Sequence, residues 1–208
     1  MVDDEAVYVV LDTETTGLLA HEDRVIEIGA LKLVGRKMTQ QFHCYLKVDK
    51  AISEQAYRVH GIDNDFLKDK PVFADIYPLF LDFVAGATLV IHNAPFDMGF
   101  LQAELSRVHY PQKLAQLCPV IDTYVLAKKC YPGQKNSLDA LCSRFGINTQ
   151  HRRLHGALKD ADLLVKVYLQ LRSRQEDLHL DNTKRQTDQS TDLCWHGKTC
   201  LLDERVRD

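Results

Sequence analysis

Val7-Tyr-Val-Val-Leu-Asp-Thr-Glu-Thr-Thr-Gly17 is the stretch on which the reading of this chain turns. Residues 7–11 form an unbroken apolar run rich in valine, the pattern of a central strand buried on both faces. Asp12 and Glu14 follow at once. Strand side chains two apart share a face, so both carboxylates aim at one point. Two acids placed in that way repel each other unless a cation or a proton intervenes. Taken alone, residues 12–17 read equally well as a polar turn.

Working outward, residues 24–33 and 41–47 read as two further strands, and residues 53–60 as a helix with Ser53 as N-cap. A helix is expected over 73–84, a short apolar strand over 88–92, and then a helix opened by Ala94-Pro95-Phe96, with proline in its first turn. Residues 120–121 predict a brief strand and 122–130 a helix broken by Pro132-Gly133. Asn136-Ser137 start another helix, which Gly146 stops after Phe145. A last helix is expected over 156–172. Strands come first and then alternate with helices, which predicts an α/β domain built on a mixed sheet with helices packed against it.

Among the 208 residues, 45% are hydrophobic and 26% charged, the balance of a soluble globular protein. No apolar run approaches the length of a membrane span. The acidic start, Met1-Val-Asp-Asp-Glu5, lacks the layout of a secretory signal. These features predict a cytoplasmic location, with the six scattered cysteines as reduced thiols. Cys194, His196 and Cys200 lie close together but fit no standard zinc spacing, and no fourth ligand is evident. From about Gln175 the composition turns to Asp, Gln, Thr, Asn and Lys, which divides the chain into a globular part, 1–174, and a polar linker or tail, 175–208. The net charge of −3 arises in that tail, which has 5 basic and 8 acidic residues; the rest of the chain has 21 of each. A protein that held duplex DNA by bulk electrostatics would be basic. Any nucleic acid is therefore handled at a local site, with metal ions offsetting carboxylate charge.

Further acids sharpen this. Asp160 recurs with Leu164, Val167 and Leu171 on one stripe of the last helix, where a carboxylate is costly unless it is paired or binds metal. Asp162 falls on another face and reads as solvated. His155 belongs to the loop before that helix, with Gly156 giving it freedom. Asp97 lies in the first turn of the helix opened by Pro95, where an acid favours the helix dipole. It also follows a strand end, and strand C-termini are where α/β sheets place their sites. Asp122 reads as a helix cap rather than a metal ligand.

The set Asp12-x-Glu14, His92-Asn93-Ala94-x-Phe96-Asp97 and His155-x4-Asp160 resembles the three exonuclease motifs of the DnaQ-like, or DEDDh, superfamily over roughly residues 7–172. Within it, Leu11-Asp-Thr-Glu-Thr-Thr-Gly17, Ile26-Glu-Ile-Gly-Ala30, Val59-His-Gly-Ile62, Asn136-Ser-Leu-Asp-Ala-Leu-Cys142 and Leu154-His-Gly-Ala-Leu-x-Asp-Ala161 resemble the epsilon, or proofreading, subunits of bacterial DNA polymerase III. The resemblance implies an RNase H-like fold with a five-stranded mixed sheet. It implies two divalent metals on Asp12, Glu14, Asp97 and Asp160, with His155 as general base. Hard oxygen ligands favour Mg²⁺ or Mn²⁺. The expected reaction is removal of nucleotides from a DNA 3′ end as nucleoside 5′-monophosphates.

The resemblance further points to Thr15, Leu18, Gln55, His60, Asn93 and Phe96 as contacts to the terminal nucleotides. Gln55 reads equally as an ordinary surface residue and Phe96 equally as core. Arg144, Arg152, Arg153 and Lys159 flank His155 and Asp160 as candidate phosphate contacts. Gln175-Glu-Asp-Leu178-His-Leu180 matches the short peptide pattern through which epsilon subunits engage a sliding clamp. Leu193-Cys-Trp195-His and Leu201-Leu202 put apolar residues after the polar segment, which suggests docking on the polymerase catalytic subunit. Two other readings stay open: a stand-alone DEDDh nuclease for RNA ends or short oligonucleotides, and a non-catalytic scaffold. The retained cluster of repelling acids argues against the scaffold.

Overall fold

A computed structural model describes residues 5–149 and 154–189, with side chains as far as Arg174. The chain divides into two compact units, Met1–Ser173 and Arg174–Asp208. The first is an α/β unit around a five-stranded mixed sheet of order β3-β2-β1-β4-β5. Its strands are β1 (Val7–Thr15), β2 (Val25–Val34), β3 (Lys37–Tyr45), β4 (Thr88–Ile91) and β5 (Val120–Asp122). β1 is central, antiparallel to β2 and parallel to β4; β2 pairs antiparallel with β3, and β4 parallel with β5. The expected α/β class and mixed sheet are observed. β1 runs on through both acids to Thr15, so residues 12–15 are strand and not turn.

The helices are α1 (Glu54–His60), α2 (Asn64–Leu67), α3 (Phe73–Val84), α4 (Ala94–Arg107), α5 (Leu114–Leu117), α6 (Thr123–Cys130), α7 (Leu138–Arg144) and α8 (Ala157–Gln189). Ser53 and Ser137 cap α1 and α7 as expected, each accepting a backbone N–H. α2 and α5 are four-residue helices, too short to print a helical period in the sequence. β3 begins at Lys37, four residues before the expected start. Its first five residues are all exposed, because they belong to an edge strand held by backbone pairing rather than by burial. α8 continues to Gln189 instead of ending near Arg172. Residues 173–189 are polar but contain neither glycine nor proline, and polar composition alone does not end a helix. Among the described residues no helix is long and apolar enough to cross a membrane.

The alternation of β1 sorts the core. Val9 and Leu11 pack with Phe80, Phe100 and Leu101 of α3 and α4. Val10 packs with Leu33, Val90 and, from α8, Leu164 and Tyr168. On α8 the stripe Asp160, Leu164, Val167 and Leu171 is buried throughout, whereas Asp162 is exposed and pairs with Lys166 at 2.7 Å. Asp122 joins two elements. It caps α6 by accepting the Tyr124 N–H at 2.8 Å, and it takes the N–H groups of Asn93 and Ala94 at 3.1 and 3.2 Å, which fixes the start of α4 to the end of β5.

One glycine decides how close α8 can come. Gly29 lies in β2 directly opposite Asp12 of β1. A Cβ on it would stand 2.1 Å from the Leu158 backbone nitrogen and 2.3 Å from the Ala157 carbonyl carbon. The first turn of α8 therefore rests on bare strand backbone. Gly29→Ala must push that helix off the sheet, and the expected cost is about 1–3 kcal/mol by urea unfolding. Gly99→Ala, in α4 with its nearest neighbour at 3.9 Å, is expected to stabilise by about 0.5–1 kcal/mol. Equal effects from the two would contradict the close approach.

Candidate active site

Two of the expected acids and the histidine meet at one end of the sheet, where β1 runs out and α8 begins. Glu14 is the penultimate residue of β1 and is buried. Asp160 is in the first turn of α8 and only 3% exposed. His155 lies in the loop before α8, anchored by its N–H to the Val59 carbonyl at 3.0 Å, and its Nδ1 sits 2.9 Å from Asp160 Oδ2. Glu14, His155 and Asp160 each bring one ligand atom to within 4.8 Å of the others, a set able to hold a metal ion. Asp12 and Asp97 are not part of that set. Asp12 lies two residues before Glu14 on β1 and is half-buried.

Asp97, 3% exposed, stands in the first turn of α4 and accepts the Thr13 hydroxyl at 2.7 Å. Burial pushes its carboxyl from 3.8 up to about 7; the Thr13 bond opposes that and the nearby Asp122 charge adds to it. Glu27, paired across the sheet with Glu14, is a further buried acid, held by His43 Nε2 at 2.8 Å. Burial raises the Tyr45 hydroxyl, with the charges of Glu27 and Glu14 adding to it. This concentration of partly desolvated anionic oxygen suits a divalent cation with hard oxygen ligands.

Beside Glu14 opens a cleft of about 620 Å³ lined by Thr13, Glu14, Thr15, Leu18, Gln55, His60 and Phe96, among others. Five of the six expected nucleotide contacts thus share one cavity with a carboxylate. Leu18 is 66% exposed, Gln55 is exposed, and Phe96 is half-buried against Phe100 with ring centroids 4.8 Å apart. The Thr15 hydroxyl donates to the Gly17 carbonyl at 2.6 Å. His60 is buried, and its Nδ1 accepts the Ile62 N–H at 3.0 Å, so the neutral ring carries its proton on Nε2. Burial lowers its pKa, which keeps it neutral near pH 7. Asn93, the sixth, is not among the cleft-lining residues. It is exposed at the α4 N-cap with φ 63°, in the left-handed conformation that lets its N–H reach Asp122.

Of the candidate phosphate contacts, Arg144 bonds to Asn136 and to the Lys135 carbonyl. Lys159 lines a separate groove of about 420 Å³ with Leu31, Asp162 and Lys166. Arg152 and Arg153 lie outside the described residues, as do Cys194, His196, Cys200 and the apolar segment around Trp195. The peptide at 175–180 has helical backbone, and its side chains lie outside the described residues. Reading by motif included Thr13, Glu27 and Gly29 in its matched stretches but gave them no role. An acid and a glycine inside the otherwise apolar run Val25-Ile-Glu-Ile-Gly-Ala-Leu31 were the available signal for the last two.

A mixed sheet of this order with carboxylates and a histidine collected at the end of its central strand is the framework of an RNase H-like nuclease. Residues 9–168 match the profile of the exonuclease (RNase_T) family. The chain belongs to that family, and it is a 3′→5′ exonuclease. It is 46% identical over 193 residues to the DNA polymerase III subunit epsilon of Salmonella typhimurium, covering 88% of this chain and 79% of that protein. It is 49% identical over 166 residues to the subunit of the same name from Rickettsia typhi, covering 78% and 72%. Among solved structures, Exonuclease X in complex with 5′ overhanging duplex DNA is 27% identical with a TM-score of 0.62, covering 80% of this chain and 92% of that one. E. coli Exonuclease I in complex with a dT13 oligonucleotide is 19% identical with a TM-score of 0.74, covering 84% and 42%, and shows the likeness of fold alone. Exonucleases of this family generally use divalent metal ions.

The raised Asp97 carboxyl couples stability to pH. Between pH 4 and 7 the folded protein keeps a proton that the unfolded chain has lost, so stability falls as pH rises through that window. In metal-free buffer the parent is expected to lose melting temperature relative to Asp97→Asn between pH 5 and 8; the difference isolates Asp97 from His60 and His92, whose lowered pKa values act in the opposite direction. A divalent cation should reverse that loss. A parent that gains melting temperature relative to Asp97→Asn over this range would contradict the account of Asp97.

Proposed function

We propose that the chain trims DNA 3′ ends as the proofreading subunit of a bacterial replicative polymerase, using two divalent cations, Mg²⁺ or Mn²⁺, held by Asp12, Glu14, Asp97 and Asp160. The observation that carries this is the meeting of Glu14, His155 and Asp160 within 4.8 Å beside the cleft. The naming of the relatives as polymerase subunits supports the biological role and, with it, a cytoplasmic location. When bound, the cations would lower the pKa of the attacking water and stabilise the departing 3′-oxygen. His155 would take the water's proton. Its Nδ1 faces Asp160, which directs Nε2 to act as the basic nitrogen. Thr15, Leu18, Gln55, His60 and Phe96 would hold the terminal nucleotide from the walls of the cleft, and Asn93 would brace the strand at its edge. Attack on phosphorus then releases a nucleoside 5′-monophosphate and leaves a 3′-hydroxyl on the shortened strand.

The division into an exonuclease domain, 1–174, and a docking tail, 175–208, belongs to the same proposal. The tail would reach the polymerase catalytic subunit through the apolar residues around Trp195, and the clamp through residues 175–180. Its acidic balance and late apolar cluster support that reading.

The test uses a 5′-labelled primer, paired or mispaired at its 3′ end, with single-stranded RNA beside it, in Mg²⁺ or Mn²⁺. Shortening from the 3′ end, faster on the mispaired DNA, is expected. Asp12→Ala should lower kcat on the order of 10³-fold with an unchanged fold by circular dichroism, and His155→Ala should lose the activity as well. Preference for RNA would favour a stand-alone nuclease. Full turnover by folded Asp12→Ala would overturn the metal assignment.

A further inference from the structure

The loop between β1 and β2, residues 16–24, carries two large apolar side chains out into solvent. Leu18 is 66% exposed and Leu19 49%, and both line the cleft beside Glu14. Yet the loop is tied down by polar bonds along its whole length. Asp23 accepts the Thr16 hydroxyl at 3.0 Å and the Leu19 N–H at 2.9 Å, and the Thr16 carbonyl accepts the Ser53 N–H at 2.9 Å. Gly17 leaves room for this, since a Cβ there would stand 2.4 Å from the Asp23 carboxylate. From α4, Arg107 Nη2 reaches the carbonyl oxygens of Ala20, His21 and Asp23 at 3.1, 3.3 and 3.1 Å. Its Nη1 donates to Glu104 Oε1 at 3.1 Å.

Glu104 is 1% exposed and holds the far end of the loop too. It accepts Arg24 Nε at 2.7 Å, Arg24 Nη2 at 2.9 Å and the Val25 N–H at 3.2 Å. One buried carboxylate and two guanidinium groups thus fasten the loop to α4, the helix that also carries Asp97 and Phe96. An ion triad of one buried carboxylate and two part-exposed guanidiniums is a poor way to gain stability. Apolar packing cannot, however, fix the position of loop carbonyl oxygens. Arg107 does so at three of them.

We propose that Glu104 and Arg107 are positioning residues for the 3′-terminal nucleotide. They hold Leu18 and Leu19 at the place where the terminal base is gripped, and so set the binding of the DNA end rather than the chemistry at phosphorus. This rests on the exonuclease reading above. A rigid apolar wall binds a base without ordering the loop at each encounter, and a loosened one gives up that preorganisation. Arg107→Lys separates position from charge. Its single ammonium keeps the charge near Glu104 but cannot bond Glu104 and the loop carbonyls as two separate nitrogens do.

The experiment measures kcat and KM on single-stranded DNA for the parent, Arg107→Gln, Arg107→Lys and Glu104→Gln. Binding of a fluorescent oligodeoxynucleotide by anisotropy in Ca²⁺, the Mn²⁺ affinity and the melting temperature are recorded for each. Both Arg107 variants are expected to raise KM and the oligonucleotide Kd about ten-fold, with kcat and Mn²⁺ affinity near the parent's. Glu104→Gln should do the same at a lower melting temperature; if it does not fold, the Arg107 pair decides alone. Parental KM and Kd in folded Arg107 variants, a fall in kcat only, or full rescue by lysine would each overturn the proposal. In those cases an active parent leaves the exonuclease reading standing. A parent that neither binds nor trims a 3′ end removes that reading and this proposal together.

Discussion

Everything at the working end of this protein depends on crowding carboxylates where they repel. Glu14 and Asp160 approach across the gap between β1 and α8, with Asp12 beside them on the strand and Asp97 buried at the start of α4. The approach is possible because Gly29 offers no side chain beneath the first turn of α8. Without a cation such a cluster is a liability; His155 set against Asp160 offsets part of it, while burial raises the Asp97 carboxyl to about 7. The energy that holds the anions together comes from the remainder of the fold: the apolar stripe of α8 below Asp160, and the buried residues of β1 below Glu14.

The two faces of β1 divide the labour. Val10, Asp12 and Glu14 alternate on the side that packs against α8. Val9, Leu11 and Thr13 look toward α3 and α4. Asp97 therefore reaches the strand through the Thr13 hydroxyl, while Asp160 meets Glu14 and His155 directly. Asp122 sets where α4 begins, and Glu104 further along the same helix sets where the β1–β2 loop lies. One helix is thus pinned at its start to the sheet and toward its end to a cleft wall.

Much of this was legible in the amino acids. A valine-rich run closing on Asp12 and Glu14, an acid on the apolar stripe of the last helix, and capping serines at 53 and 137 each have a local physical meaning that survives folding. What was not legible depended on partners distant in the chain. Asp97 read both as an acid favouring a helix dipole and, following a strand end, as a site residue; its burial and the Thr13 bond, which set its carboxyl, were not legible. Gly29 and Glu27 sit in a strand whose neighbours had to be known first. Glu104 lies 80 residues from Arg24, and no periodicity joins them. The early start of β3 escaped because an edge strand needs no apolar pattern, and the length of α8 because polar residues without a breaker stay helical.

In the proposed site these acids hold divalent cations at the end of β1. Anomalous scattering from crystals grown with Mn²⁺ and a deoxynucleoside 5′-monophosphate tests it most directly. Manganese peaks should lie among the carboxylates of Asp12, Glu14, Asp97 and Asp160, with the nucleotide in the cleft beside Leu18 and His60. Crystals in which manganese occupies surface sites and leaves those four carboxylates empty would contradict the account.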